Sequence, residues 1–157
     1  MKREDGPTVS ALVRETGILD PNSTYAYVLL GDRFGQHGLV AEEEDGKLIG
    51  FVSGFLDPRE PSTLFLWQIG LRAEARGRGL GKKLLNAFIS LPANRRARAL
   101  ETTVAIDNLP SRRLFEAFSR DHGASIEAIG AYGSELLDGN SEEVIFRIAP
   151  LPSHTSG

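Results

Sequence analysis

Apolar and polar positions along the chain repeat with two periods, one typical of helices and one typical of strands. The helical period is clearest in the first segment, where Val9, Leu12 and Val13 fall on one face and Gly17 acts as a stop signal. The second segment is weaker, because its tyrosines and valine also favour a strand. The predicted helices cover residues 8–16, 24–34, 79–90 and 108–120. The candidate N-caps are Asn22 or Ser23 for the second helix and Asp107 or Asn108 for the fourth.

Short runs of aliphatic, β-branched and aromatic residues predict the strands. The Asp45-Gly46 pair between the first two runs is a strong signal for a two-residue hairpin turn. The predicted strands cover residues 39–42, 48–55, 63–71, 100–104, 125–129 and 144–148. The resulting order, ααβββαβαββ, predicts an α/β (α+β) fold in which helices flank a mixed, mostly antiparallel central sheet.

The composition is that of one ordinary globular domain. The chain has 157 residues, of which 41% are hydrophobic and 25% are charged. It contains no cysteine, which excludes disulfides, thiolate zinc sites and a cysteine nucleophile. We expect a single domain over residues 1–149 and a flexible tail over residues 150–157, which are rich in proline and serine.

The charge pattern argues against several partners. The formal net charge is −3, whereas nucleic-acid-binding proteins usually carry a basic excess, so we expect no nucleic acid. The charged start shows no signal peptide and no apolar run is long enough to span a bilayer, so we expect a cytoplasmic protein without a membrane segment. No metal is expected either, since His37, His122 and His154 are widely scattered.

A glycine-rich segment follows the third predicted strand and begins the third helix. Backbone N–H groups at a helix N-terminus form an anion site, and glycines lack the Cβ atoms that would keep a pyrophosphate away. Positive side chains there oppose the helix dipole, so a bound polyanion would explain them. This segment, called the Gly-rich turn below, consists of Arg76, Gly77, Arg78, Gly79, Leu80, Gly81 and Lys82.

Other interpretations of the Gly-rich turn fit less well. A Rossmann dinucleotide turn follows the first strand of its fold, whereas three predicted strands come first here. A Walker loop requires serine or threonine after Gly-Lys, and Lys83 stands at that position. A purely structural turn within a solvated basic patch remains an alternative.

The Gly-rich turn and the following strand–helix unit resemble the GCN5-related N-acetyltransferase (GNAT) superfamily. Arg76, Gly79 and Gly81 fit the pattern [Gln/Arg]-x-x-Gly-x-[Gly/Ala], and the second unit begins at Asn108. The resemblance implies that the turn binds the pyrophosphate of acetyl-CoA, with the thioester beside the end of the third strand. The further CoA contacts that it implies are Ile69, Gly70, Leu71, Asn108 and Ser111.

Four strings resemble one family more closely, the diaminobutyrate acetyltransferases of ectoine synthesis. They are LDPNSTYAY at residues 19–27, GFVSG at 50–54, LFLWQ at 64–68 and LETTV at 100–104. The resemblance implies transfer of an acetyl group from acetyl-CoA to the γ-amine of L-2,4-diaminobutyrate. The product would be N4-acetyl-2,4-diaminobutyrate, a precursor of a compatible solute used in osmotic stress, and such enzymes are generally cytoplasmic homodimers.

A small diamine with one carboxylate needs acidic partners and aromatic walls. Asp20 and Glu101 are candidate ammonium partners, while Tyr25 and Trp67 are candidate cation–π contacts. Thr103 shares a strand face with Glu101. Each has a structural alternative: a turn or helix cap for Asp20, core packing for the two rings and an exposed strand position for Glu101. The sequence does not choose a partner for the carboxylate among Arg72, Arg112 and Arg113.

The reaction needs a base, because an alkyl ammonium with a pKa near ~10.4 cannot attack a thioester. Superfamily members often place an acid or histidine where this chain has Phe65 and Trp67. Glu101 on the next strand is therefore the candidate base or the anchor of a water relay, and Asp20, Glu142 and Glu143 are the alternatives. Asn108 is the second predicted catalytic residue. Phe115 replaces the tyrosine that often protonates the thiolate, which implies that the thiolate leaves unaided or takes its proton from water.

Two other functions remain open from the sequence. A protein or peptide N-acetyltransferase of the same fold would have an open groove rather than a small pocket. A non-catalytic acyl-CoA sensor would explain why Phe65 and Phe115 stand where catalytic side chains are usual.

Overall fold

The computed structural model describes residues 1–153 and confirms the predicted order of helices and strands. Short 3-10 turns separate some of these elements, and one of them, Arg3–Asp5, lies directly before the first helix. No helix in the described residues has the length and apolar character needed to cross a membrane. The elements are α1 Gly6–Thr16, α2 Thr24–Arg33, β1 Leu39–Glu42, β2 Leu48–Leu56, β3 Thr63–Leu71, α3 Leu80–Ser90, β4 Ala99–Ala105, α4 Leu109–Asp121, β5 Ser125–Tyr132 and β6 Glu143–Ala149.

The strands form one mixed sheet in the order β1-β2-β3-β4-β6-β5. β1 and β2 are antiparallel, as are β4 with β6 and β6 with β5, whereas β3 and β4 are parallel. The mostly antiparallel sheet expected from the sequence is therefore confirmed. The parallel ladder ends at the pair Leu66 and Thr102, so residues 67–71 of β3 lie beyond it.

The described chain divides into two compact units. The first contains Met1–Phe55 and Trp67–Arg95, and the second contains Leu56–Leu66 and the residues from Arg96 onward. The expected single domain over residues 1–149 stays a prediction. Beyond that boundary, Leu151 is buried and its N–H donates to the Arg98 carbonyl at 2.8 Å, so packed structure extends into the predicted tail. Residues 154–157 of that tail lie outside the described residues.

In the first unit, helices cover both faces of β2. Phe51 packs with Leu12 and Tyr27 in the cluster formed with α1 and α2. A Cβ added to the preceding Gly50 would instead lie 3.2 Å from Leu84 of α3. Because successive residues of a strand point to opposite faces, α3 lies on one face and the α1–α2 pair on the other.

Helix caps in both units follow the sequence signals. The Ser23 hydroxyl accepts from the Ala26 N–H at 3.2 Å and caps α2, which selects Ser23 from the two predicted candidates. Asn108 caps α4 by accepting from the Ser111 N–H at 3.2 Å. Polar side chains thus satisfy helix N–H groups that have no partner within the helix.

The β1–β2 connection is longer than the predicted two-residue turn. β1 ends at Glu42 and β2 begins at Leu48, which leaves the loop 43–47. The Glu43 N–H donates to the Lys47 carbonyl at 2.9 Å, and Gly46 has a φ of +84°. The register shifts beside Glu42, so the extra residues accommodate an irregular end of the ladder.

Replacing Leu85 by alanine tests the core of the first unit. Leu85 is fully buried, so we expect Leu85→Ala to lower the free energy of unfolding by about 2–5 kcal/mol through lost burial and a cavity. Leu136→Ala is the matched control, because that side chain is 70% exposed and its loss changes stability by about 0.5 kcal/mol or less. Urea unfolding measures both, and equal losses would contradict the described burial.

Candidate active site

The Gly-rich turn connects the 3-10 turn Ala73–Ala75, which follows β3, to α3. Gly77 and Gly79 have φ of +73° and +70°, a left-handed backbone conformation that favours glycine. A Cβ on either residue would meet no atom within 4 Å, so open space lies beside the backbone. Gly79 is the N-cap of α3 and offers no side-chain acceptor to its first N–H groups. Room and helix N-terminal donors together fit a pyrophosphate.

Two ion pairs link the hairpin loop 43–47 to the region of the Gly-rich turn. Lys47 Nζ lies 2.8 Å from Glu74 Oε1, and this hydrogen bond lowers the pKa of Glu74 and raises the pKa of Lys47. Arg78 Nη1 lies 3.7 Å from Glu43 Oε1, a looser contact in which the guanidinium stays largely exposed. The close pair anchors the segment before the turn, while Arg78 remains accessible to an anion.

The end of β3 is tightly packed within the first unit. Gly70 is buried, and a Cβ there would lie 2.9 Å from both Leu19 Cδ1 and Phe51 Cε1. Its neighbours Ile69 and Leu71 are half-buried. Since the β3–β4 ladder ends at Leu66, the main chain of these residues is not used by that ladder. This leaves backbone groups that suit hydrogen bonding to a bound acyl group.

A hydrogen-bond network holds the segment of residues 20–22, called the Asp20 loop below. The Tyr27 hydroxyl donates to Gln68 Oε1 at 2.9 Å, and Gln68 Nε2 donates to the Asp20 carbonyl at 2.9 Å. The main-chain N–H and the side-chain amide of Asn22 both donate to the Tyr27 hydroxyl, at 3.3 and 3.4 Å. The sequence assigned no role to Gln68; its only signal was its place beside Trp67 in a family string.

The aromatic residues near the Asp20 loop differ in the exposed fraction of their side chains. Tyr25 is 71% exposed and Trp67 is 37% exposed, so the core-packing alternative is wrong for Tyr25 and incomplete for Trp67. Tyr27 is fully buried and belongs to the core. Asp20 is exposed and Ser23 caps α2, so the helix-cap alternative for Asp20 is also wrong.

Glu101 lies in an ion pair in the second unit. Its Oε1 accepts from Arg147 Nη1 at 2.6 Å, and the same nitrogen donates to the Thr63 hydroxyl at 3.2 Å. The Glu101 side chain is 16% exposed, so it is not a freely solvated strand glutamate. Thr103 is half-buried on the same strand face. Sequence reasoning missed Arg147, whose pairing with Glu101 depends on the β4–β6 register.

Helix α4 and its N-cap contain two predicted CoA contacts, Asn108 and Ser111, and one residue that departs from the superfamily pattern, Phe115. The Asn108 side-chain oxygen accepts a hydrogen bond from the Ser111 N–H, so Asn108 is the N-cap of α4. Phe115, where the resemblance to the superfamily implies a tyrosine, is buried in the second unit. A buried phenyl ring has no proton to donate.

Of the arginines considered for the substrate carboxylate, Arg72 is the most engaged. It pairs with Glu15, and its Nε donates to the Leu48 carbonyl at 2.8 Å. Arg112 pairs with Glu116 at 3.0 Å on the same helix. Arg113 is exposed. Arg72 therefore has a structural role that connects α1, β2 and the end of β3.

The predicted site residues fall into both units. Within the described residues, no group of three or more histidine, aspartate or glutamate side chains is arranged to hold a metal ion. The second unit contains Glu101, Thr103, Asn108 and Ser111. The first unit contains Asp20, Tyr25, Trp67, Ile69, Gly70, Leu71, Arg76, Gly77, Arg78, Gly79, Leu80, Gly81 and Lys82.

Comparison with known families identifies the class of this fold and turn. Residues 10–119 match the model of the acetyltransferase (GNAT) family, a span that includes the Gly-rich turn and most of α4. The structure of diaminobutyrate acetyltransferase EctA from Paenibacillus lautus, solved with its substrate L-2,4-diaminobutyric acid and coenzyme A, superposes with a TM-score of 0.91. That chain is 37% identical, and the match covers 99% of this chain and 95% of that one.

Two curated relatives give the same result from sequence. The L-2,4-diaminobutyric acid acetyltransferase of Shouchella clausii is 37% identical over 152 residues, covering 96% of this chain and 84% of that protein. Its counterpart in Bordetella parapertussis is 37% identical over 157 residues, covering 98% and 84%. The chain therefore belongs to the acetyltransferase (GNAT) family and, within it, to the L-2,4-diaminobutyric acid acetyltransferases.

Alanine at Gly79 tests whether the open space beside the Gly-rich turn receives a ligand. Gly79→Ala adds a Cβ there and strains a left-handed residue by about 1–3 kcal/mol, so we expect weaker acetyl-CoA binding in calorimetry, by at least about tenfold. Gly123→Ala is the matched control, since Gly123 has a φ of +61° and equally open surroundings after α4. Equal affinity in both variants would contradict the pyrophosphate assignment.

Proposed function

We propose that the chain transfers the acetyl group of acetyl-CoA to the γ-amine of L-2,4-diaminobutyrate and forms N4-acetyl-2,4-diaminobutyrate. The observation that carries the proposal is the near-complete structural match, at 37% identity, to an enzyme solved with that substrate and coenzyme A. The open left-handed Gly-rich turn supports the same activity, because it fits the diphosphate of the cosubstrate.

Main-chain N–H groups at the start of α3 hold the diphosphate in this proposal. Arg76, Arg78 and Lys82 add positive charge around the Gly-rich turn, and the loose Arg78–Glu43 pair leaves that guanidinium able to exchange partners. Main-chain groups of residues 69–71 hydrogen-bond the acyl carbonyl, whose oxygen becomes more negative during attack. Asn108 and Ser111 are proposed as further CoA contacts at the start of α4.

Removal of a proton from the substrate ammonium is the chemical requirement that side chains must meet. Glu101 is our candidate. Arg147 holds one carboxylate oxygen at 2.6 Å and fixes the orientation of the group. Glu101 is proposed to take this proton directly or through a water molecule that it orients. Asp20, Tyr25, Trp67 and Thr103 are proposed to hold the diamine, the acid by charge and the rings by cation–π contact.

The departing thiolate needs no protein acid in this scheme. Phe115 is buried and has no exchangeable proton, so water protonates the sulfur after transfer. The thiolate of a thiol with a usual pKa of about 8.5 is a weaker base than the attacking amine, so it leaves readily without prior protonation. The loss of the tyrosine therefore does not require a non-catalytic sensor.

As part of the same proposal, the enzyme acts as a cytoplasmic homodimer in osmotic-stress metabolism and binds neither nucleic acid nor membrane. The dimer is supported by β5, an edge strand whose Ile129 and Tyr132 side chains are exposed. Exposed apolar edge strands are commonly covered by another chain. Light scattering on the purified protein measures the assembly, and a monomer at micromolar concentration would contradict it.

An amine panel tests the activity directly. We expect CoA release from acetyl-CoA with L-2,4-diaminobutyrate and none with L-2-aminobutyrate, which has the α-amine and carboxylate but no γ-amine. Turnover of a lysine-containing peptide instead would favour a peptide acetyltransferase. Binding of acetyl-CoA without turnover of any amine would favour an acyl-CoA sensor.

Glutamine at residue 101 tests the proton-transfer role. Glu101→Gln keeps an acceptor for Arg147 but removes the charge, so we expect kcat to fall by about 100-fold while acetyl-CoA affinity stays within about twofold. Glu60→Gln is the matched control, because Glu60 also lies near Arg147, at 3.9 Å, and is mostly exposed. An unchanged kcat in Glu101→Gln would remove Glu101 from proton transfer.

A further inference from the structure

Tyr27 presents a phenol in a place where packing needs only a ring. The side chain is fully buried, and its ring meets Phe51 edge-on with centroids 6.4 Å apart and planes at 86°. A phenylalanine would make the same contact. The hydroxyl must therefore be explained by the groups that it reaches, since a buried phenol needs hydrogen-bond partners.

The hydroxyl is the centre of a network that uses its full bonding capacity. It donates once, to Gln68 Oε1, and accepts twice, from the main-chain and side-chain nitrogens of Asn22. A phenol has one donor and two acceptor sites. Gln68 links the Tyr27 hydroxyl to the Asp20 loop, because its Nε2 donates to the Asp20 carbonyl.

This network fixes the Asp20 loop by its main chain at both ends. The Asp20 carbonyl is held through Gln68, and the Asn22 N–H is held by Tyr27 itself. Pro21 between them has no N–H and a restricted φ, which limits the conformations left to the loop. The Asp20 side chain stays exposed, so the network positions this carboxylate without occupying it.

We propose that Tyr27 is a positioning residue for the diamine site: with Gln68, its hydroxyl sets the place of the Asp20 carboxylate that receives the substrate ammonium. The inference rests on the proposed function. Tyr27 does not touch the substrate, and it acts through the main chain of the Asp20 loop. Its contribution is to substrate affinity rather than to acetyl-CoA binding.

Phenylalanine at residue 27 removes the hydroxyl and keeps the ring. We expect Tyr27→Phe to raise KM for L-2,4-diaminobutyrate by about 3- to 10-fold, the loss expected when a hydrogen-bonding group that holds the Asp20 loop in place is removed. KM for acetyl-CoA and kcat stay within about twofold. Ser119→Ala is the matched control: it removes a buried hydroxyl that donates to the Glu116 carbonyl at 2.9 Å within α4, and it leaves all three constants unchanged. Equal rises in both KM values would overturn the proposal, because they indicate a general structural effect.

Methionine at residue 68 provides a second, independent variant. Gln68→Met has a similar length without donor or acceptor, and it breaks the link to Asp20 while leaving the Tyr27 ring in place. In one network the double variant is no worse than the poorer single variant, whereas independent effects multiply. If the KM increases of the two single variants multiply in the double variant, the two residues act independently and the proposed network is overturned. If Tyr27→Phe does not fold, Gln68→Met alone must show the selective rise in KM for diaminobutyrate.

Hydrogen exchange separates this inference from the proposed function. The Asn22 N–H donates to the Tyr27 hydroxyl, so its exchange by NMR should speed up in Tyr27→Phe, by about tenfold, whatever amine the enzyme uses. Amides of β6 serve as internal controls. An unchanged Asn22 rate would overturn the positioning role even if the wild-type protein acetylates diaminobutyrate. If Asn22 exchange is faster in Tyr27→Phe but the wild-type protein does not acetylate diaminobutyrate, the hydrogen-bond network is supported and the proposed substrate is wrong.

Discussion

The left-handed backbone at Gly77 and Gly79 is the constraint on which the candidate site depends. Two residues of positive φ between β3 and α3 allow the chain to turn without placing a Cβ beside the helix N-terminus. The same turn leaves open space beside the backbone and places the first N–H groups of α3 next to that space. Positive side chains at this terminus oppose the helix dipole in the free protein and become favourable when a polyanion binds.

Side-chain bonds around this turn and the Asp20 loop keep the flanking segments in fixed positions. Lys47 and Glu74 join the hairpin loop to the segment before the turn, and Arg72 joins the end of β3 to α1 and β2. Tyr27 and Gln68 do the same for the Asp20 loop. A catalyst that works largely by positioning benefits from such support, because small displacements of reacting groups slow the reaction strongly.

The departures from the superfamily pattern are consistent with a small, reactive amine and a good leaving group. Phe115 is a buried ring of the second unit, and Glu101 forms a close ion pair with Arg147 between β4 and β6. In the proposed reaction the nitrogen loses two protons between the ammonium and the amide, and the departing thiolate gains one. Because the protein has to accept protons but not to donate one, this chemistry tolerates both changes.

The sequence by itself determined the order of elements, the helix caps and the Gly-rich turn, because periodicity, capping residues and glycine conformations are local properties. It also led to the correct family, through short strings such as LFLWQ. Only the tertiary structure decided which polar groups meet: Arg147 reaches Glu101 through the β4–β6 register, and Tyr27 reaches Gln68 across 41 residues of sequence. Such pairings depend on how distant segments pack, which local patterns do not encode.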